Sequence, residues 1–257
     1  MLIFHADLDN TLIYSYKHDI GSDTVGVERY QGRVISYMTG SSYEMLDQIR
    51  KRVLFVPVTT RTVEQYERID LGSSPRFALV CNGGILLEDG QEDERWYEAS
   101  LELVRDAEDE LQLGEECLHK DRNRNFEVRN VRGLFLFTKS GNPSATVEML
   151  RQKLDKSRVD VFQNGEKVYV VPRRMNKGEA CRRFRKRVQS ESVYTVAAGD
   201  SEFDIPMLET AELYMAPATL CDLYGLKDGG RWSEKDGIFS DFILSRILRM
   251  TETVQWI

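Results

Sequence analysis

The chain is short of several things, and each shortage narrows the field. Its four cysteines (81, 117, 181 and 221) are scattered through 257 residues without a CxxC pair, which speaks against a disulfide framework and against a zinc site. Its three histidines (5, 18 and 119) lie far apart and suggest no metal cluster. His5 is expected to pack inside the first strand. No apolar run approaches the length of a bilayer span. The N-terminus lacks a basic stretch followed by an apolar one of signal-peptide length. A cytoplasmic location without a membrane partner is therefore expected. There is no excess of positive charge either: the formal net charge is −7, which argues against nucleic acid as a partner. The basic run RRFRKR (182–187) does not change that expectation. Cys181, Phe184 and Val188 share one helical face around it, leaving the charges on a solvated side. Neither a low-complexity tract nor a repeat of solenoid period is found.

What the chain does have is an ordinary globular balance, 41% hydrophobic and 30% charged residues, long enough for one large domain or two modest ones. The first part alternates apolar strands with amphipathic helices. LIFHA (2–6), RVLFVPVTT (52–60) and RFALVCNGG (76–84) read as strands. SSYEMLDQIRKR (41–52), with Ser41 and Glu44 spaced as a capping box, and TVEQYERI (62–69) read as helices. Such alternation predicts a parallel sheet covered on both faces. Residues 15–38 interrupt it with glycines and β-formers, and predict a hairpin at the end of the first strand.

From about residue 86 the pattern becomes helix–strand–strand, twice over. An acidic helix is expected over 100–113, two strands within 125–141, a helix over 142–155 capped by Asn142 with Pro143 behind it, and a hairpin over 159–172 turning at Asn164-Gly165. After residue 175 the strand–helix alternation resumes. The predicted fold class is therefore α/β: a Rossmann-like parallel-sheet core, residues 1–85 and 174–257, with an α+β domain inserted at 86–173.

Four polar clusters fall at the carboxyl ends of the expected parallel strands, where open α/β sheets bind ligands. They are Asp7 with Asp9, Thr59-Thr60-Arg61, Asn82-Gly83-Gly84, and Gly199-Asp200 with Asp204; Lys177 opens the helix after the insertion. These carboxylates and a lysine at one edge would repel or pair wastefully without a ligand. Mg²⁺, which takes oxygen ligands and keeps waters for a substrate phosphate, resolves this.

These residues resemble a known family. Asp7-Leu8-Asp9-Asn10-Thr11 is similar to the first motif of the haloacid-dehalogenase superfamily, VPVTT (56–60) to the second, Lys177 in MNKGEA to the third, and GDSEFD (199–204) to the fourth. The insertion between the second and third motifs resembles the type IIB cap of Cof-like and sucrose-phosphate-phosphatase-like members. The resemblance implies that Asp7 attacks phosphorus, that Asp9 protonates the leaving oxygen and later activates water, and that Thr59 or Thr60 with Lys177 binds the phosphoryl group. It implies a Mg²⁺ cofactor held by Asp7, the Asp9 carbonyl and Asp200, with Asp204 acting behind them. The expected partner is a small phosphorylated molecule, a sugar phosphate first. Arg61 could contact it or salt-bridge at the surface; Asn82 could face it or only shape a turn. Where relatives carry GDxxND, this chain has Glu202 and Phe203. A phosphomutase, with Arg122, Arg124, Arg129 and Arg132 as a second phosphate site, and a non-catalytic binding protein are the alternatives. The oligomeric state is open.

Overall fold

The computed structural model describes residues 1–188, 193–227 and 229–253. The chain divides into two compact units, Met1–Glu92 with Lys177–Ile257, and Asp93–Asn176.

The first unit is built on a five-stranded parallel sheet. Its strands run, side by side, Gly230–Trp232, Leu213–Pro217, Tyr194–Ala198, Leu2–Ala6 and Leu54–Pro57. All five residues of Leu2–Ala6 are buried, as expected where both faces are covered. Leu2, Phe4 and Ala6 pack on one face with Leu46 and Ile49 of the helix Gly40–Arg50 and with Phe239, Ile243 and Ile247 of the closing helix Phe239–Thr253. His5 turns to the other face, edge-on to Phe184 of the helix Lys177–Val188. Phe77–Val80 continues the sheet through a single parallel bridge, Val58 to Leu79. It belongs to its own antiparallel sheet with Ile85–Glu88 and Gln91–Glu92. That hairpin keeps residues up to Glu92 with the first unit, beyond the boundary expected at 86.

From Leu2–Ala6 the chain builds one way, to Leu54–Pro57. After the insertion it returns on the other side, to Tyr194–Ala198. The switch point thus lies between Leu2–Ala6 and Tyr194–Ala198, where a doubly wound sheet leaves a crevice. Residues 24–39 form the expected hairpin, strands Thr24–Tyr30 and Arg33–Thr39, with Tyr14–Ser15 added at its edge. Gln31 and Gly32 both have positive φ, 48° and 78°, the requirement of a type I′ turn. The helix after it is capped by Thr39, whose hydroxyl accepts from Ser42 N–H at 3.0 Å. The capping box expected at Ser41 and Glu44 is not used, because the helix already begins at Gly40.

The second unit is a four-stranded antiparallel sheet, ordered Val159–Asn164, Lys167–Pro172, Phe135–Lys139, Arg129–Val131. Leu136, Val168 and Val170 pack against Leu111 and Leu118 of the helix Glu108–Lys120 and Val147 and Leu150 of the helix Pro143–Lys153. Asn142 caps the latter by accepting from Ala145 N–H. The hairpin turns on Gly165-Glu166, one residue later than expected, since Asn164 still pairs with Lys167. Gly165 takes φ 58° at the first loop position, as a II′ turn requires. The acidic helix expected over 100–113 is two helices, Glu94–Val104 and Glu108–Lys120, parted by the 3₁₀ turn Arg105–Ala107.

Candidate active site

Two adjacent parallel strands deliver the central carboxylates. Asp7 follows Leu2–Ala6 and still donates its N–H to Ala198 O at 2.9 Å, in the ladder of the neighbouring strand. Asp200 lies two residues past that neighbour's end. Beyond Asp7 the backbone tightens: Leu12 and Ile13 donate to Leu8 O, and Asn10 takes φ 59°. This turn aims Thr11 back at the sheet, where its hydroxyl donates to Asp200 Oδ1 at 3.1 Å.

Lys177, the first residue of its helix, is the hub. Its ammonium donates to Asp7 Oδ1 and Asp204 Oδ1, both at 2.6 Å, and its side chain is 1% exposed. Asp204 Oδ2 accepts from Asp200 N–H, Ser201 N–H and the Ser201 hydroxyl at 3.0–3.1 Å. Both Asp204 oxygens are thereby engaged. Two glycines allow this closeness. A Cβ on Gly199 would stand 2.3 Å from Asp204 Cβ, and one on Gly178 would stand 2.2 Å from Pro206 O.

The charges do not balance. Asp7, Asp200 and Asp204 each bring a carboxylate oxygen within 4.8 Å of the others, against one ammonium. Burial would lower the Lys177 pKa, but Asp204 and Asp7 reverse this and hold it above the usual lysine value. Burial raises the pKa of Asp7 well above the carboxylate range, helped by Asp204, Asp200 and Asp9 and opposed by Lys177. Burial, then Asp204, raises that of Asp200 to about 7. Carboxylates strained in this way suit a hard divalent cation, which prefers oxygen ligands. With Asp204 already spent on Lys177 and three donors, Asp7 and Asp200 are the carboxylates that fit one.

A second centre lies on the other side of Asp9. The Arg61 guanidinium grips the Asp9 carboxylate with two hydrogen bonds, Nε to Oδ2 at 2.8 Å and Nη2 to Oδ1 at 2.7 Å. Its remaining nitrogen, Nη1, meets Glu28 Oε1 at 2.9 Å. Burial works against the Arg61 charge, and Asp9 and Glu28 more than restore it. Arg61 is thus neither a surface salt bridge nor a loose cation. Thr59 is fully buried, and its hydroxyl oxygen accepts from Arg61 N–H at 3.2 Å, which leaves the hydroxyl hydrogen to donate elsewhere. Thr60 is half-buried beside it. Asn82 is buried in a left-handed turn, φ 58°, its N–H donating to Thr59 O at 2.8 Å. It braces the Thr59 loop. Glu202 receives the Tyr224 hydroxyl at 2.8 Å, and Phe203 is buried.

Sequence reasoning did not reach Glu28. A glutamate in an alternating hairpin strand gives no sign that it points inward.

The sequence pattern of the sucrose-6F-phosphate phosphohydrolase family matches residues 127–215. The chain is 30% identical over 178 residues to a phosphoglycolate phosphatase of Methanopyrus kandleri, covering 67% of this chain and 73% of that one. It is 24% identical over 183 residues to a phosphoglycolate phosphatase of Sulfurisphaera tokodaii, covering 68% and 70%. Its fold is similar to that of the sucrose-phosphatase from Synechocystis, solved with sucrose and phosphate, with a TM-score of 0.64 at 16% identity over 98% of both chains. The chain belongs to the haloacid-dehalogenase-like phosphatases, in the capped sucrose-phosphatase and Cof-like group, and the inserted antiparallel unit is the cap.

Proposed function

From that membership we propose that the chain is a Mg²⁺-dependent phosphatase that hydrolyses a small phosphate monoester through an aspartyl-phosphate on Asp7. The observation that carries the proposal is the buried Asp7–Lys177–Asp204 chain beside Asp200 at the sheet's switch point. Asp7 is the nucleophile: its carboxylate oxygen attacks phosphorus, and the ester oxygen leaves. Asp9 gives that oxygen a proton, then takes one from the water that cleaves the acyl-phosphate and restores Asp7. Lys177, fixed from behind by Asp204, sets a positive charge against the phosphoryl oxygens. Thr59, or Thr60 next to it, donates a hydroxyl to them. A divalent cation held by Asp7, Asp200 and the Asp9 carbonyl would offset the remaining charge on the phosphoryl group.

A sugar phosphate is the leading substrate class, in line with the family whose pattern matches the chain. The relatives named phosphoglycolate phosphatase make a small phosphorylated acid the second. A phosphomutase finds less support, because three of its four candidate arginines are engaged within the cap. Arg124 donates to Leu118 O and Phe126 O, Arg129 pairs with Glu127, and Arg132 stacks on Tyr97. The test is phosphate release from a panel holding sugar phosphates, 2-phosphoglycolate and an aryl phosphate. Turnover with Mg²⁺ that stops in EDTA is expected. Equal turnover in EDTA would remove the metal from the proposal, and no turnover on any ester would remove the proposal.

A further inference from the structure

The hairpin strand Thr24–Tyr30 breaks its own pattern. Its burial runs exposed–intermediate–exposed, then Val27 and Glu28 are buried together, then exposed again. Two neighbours on a regular strand face opposite sides, and the flanking exposed residues show that this strand is not covered on both faces throughout; the buried pair falls where the register slips. The pairing with Arg33–Thr39 shifts between Gly26 and Glu28 and again between Glu28 and Arg29. Such bulges re-aim single side chains, often beside active sites. This one is clamped from outside: Asp70 donates its N–H to Val27 O at 2.7 Å, and Glu28 bridges to Ile69.

What the bulge turns inward is a carboxylate whose side chain is 1% exposed. Burying a charge is costly until its partners offset the lost hydration, so a buried ion pair is a poor device for stability alone. Glu28 has a full set of partners. Oε1 faces Arg61 at 2.9 Å and Arg68 at 3.2 Å, and Oε2 accepts the Ser36 hydroxyl at 2.6 Å. Arg68 lies over the Tyr30 ring, 4.6 Å from its centroid. Glu28 is therefore fixed from three sides. Only one of its contacts leads to the reaction: Arg61, whose other two donors form the fork on Asp9.

We propose that Glu28 is a positioning residue for the phosphatase reaction, acting through Arg61 to fix the orientation of the Asp9 carboxylate. The inference rests on the role of Asp9 given above. A guanidinium is planar, so fixing Nη1 on Glu28 fixes the direction of the Nε and Nη2 fork. The Asp9 side chain is 47% exposed, and the fork holds both of its oxygens. Without Glu28, Arg61 keeps its charge, and Nη1 keeps the long contact to Gln65 O at 3.5 Å in place of the 2.9 Å ion pair that sets its angle. The nucleophile, held by Lys177 on the other side, is untouched.

The test is Glu28→Gln, which keeps the shape of the side chain and removes the charge, with kcat and KM measured on an alkyl phosphate and on p-nitrophenyl phosphate. An alkoxide needs a proton on leaving, whereas p-nitrophenolate needs little help. Phosphoryl transfer, which kcat/KM reports, is the step in which the two esters differ, whereas water activation by Asp9 is common to both and enters kcat. A misaimed Asp9 should therefore cost about 10–100-fold in kcat/KM on the alkyl ester and under about threefold in kcat/KM on the aryl ester. Ser36→Ala, which loosens Glu28 without removing it, should shift the same ratio in the same direction by a smaller factor, and stands in if Glu28→Gln does not fold. Equal losses in kcat/KM on both esters, or a lower Tm with the ratio of the two kcat/KM values unmoved, would make Glu28 merely structural and overturn the inference. Wild-type protein is run beside the variants: if it turns over neither ester, the phosphatase reading itself fails, and the positioning role with it.

Discussion

Asp7 and Asp9 stand two residues apart, yet they belong to different centres. Asp7 is 8% exposed and held by an ammonium that is 1% exposed, inside a cluster where carboxylates outnumber cations. Asp9 is 47% exposed and held by a guanidinium fork that a second carboxylate balances from behind. The lysine centre is rigid and unbalanced, built from a strand end and a helix start. The arginine centre is balanced and half-open, built from a loop and a hairpin. The nucleophile proposed at Asp7 suits the first setting: one fixed position, with excess negative charge that a cation would offset. A group that gives and then takes a proton needs the second, with access to the leaving oxygen and to water.

If that contrast holds, damage to the two centres should differ in kind. Asp7→Asn should reduce turnover on every ester by about 10⁴-fold or more, because an amide forms no acyl-phosphate and remaining binding cannot replace it. The circular dichroism spectrum should be unchanged. An aryl phosphate still hydrolysed at near wild-type rate would move the nucleophile elsewhere. Asp9→Asn should cost less in kcat/KM, which ends at phosphoryl transfer: about 10²–10⁴-fold on an alkyl ester, and clearly less on an aryl ester. Losses of the same size on both would mean that the two carboxylates serve one function, and the contrast would collapse.

Much of the lysine centre was legible because its parts stand at strand ends, where an apolar run breaking into Asp or Gly-Asp is visible in one dimension. The strand–helix alternation marked the core in the same way, and the Asn142-Pro143 start marked a cap helix. The arginine centre was not legible. Arg61 reads equally well as a surface residue, and Glu28 is turned inward by a bulge that alternation conceals. The 3₁₀ turn at Arg105–Ala107 carries neither Gly nor Pro to announce it. The cap at Thr39 was hidden because Ser41 and Glu44 offered an equally good signal two residues later. Side chains placed by periodicity are readable; those placed by an irregularity are not.

The lysine centre should also be the stiffer one thermally. Phe203, next to Asp204, is 7% exposed, at the position where the resembled fourth motif has asparagine. Phe203→Asn should destabilise the protein by about 2–4 kcal/mol, the usual cost of deleting a large buried side chain. A denaturation midpoint equal to wild type, together with tighter Mg²⁺ dependence of turnover, would show instead that the position tunes the metal's surroundings, which typically changes affinity by about 10–100-fold.

The smallest effect tests how deep the dry lysine side extends. His5 lies on the same strand face as Asp7, one step further in, and meets Phe184, seven residues along the helix that Lys177 opens. Neither ring nitrogen has a hydrogen-bond partner among the described residues, and burial lowers its pKa to about 4. Because the unfolded histidine titrates near 6.5, the folded state binds fewer protons between those values. The stability that the neutral ring contributes is therefore present above pH 6.5 and lost as pH falls towards 4. Asp200 works the other way in metal-free protein. Its pKa is raised from 3.8 to about 7, so it favours the folded state at low pH and weakens it as pH rises through 7. The two trends oppose each other in EDTA. His5→Leu removes one of them, and removes an unpaired polar ring at similar volume, so it should add about 1 kcal/mol at pH 7. It should also leave a protein whose stability in EDTA falls from pH 4.5 to pH 7, and Mg²⁺ should restore much of that loss by occupying the carboxylates. Urea midpoints at the two pH values, with and without Mg²⁺, measure all three. If wild type and His5→Leu share one pH slope in EDTA, the strand face behind Asp7 is wet, and the lysine centre is no more secluded than the arginine one.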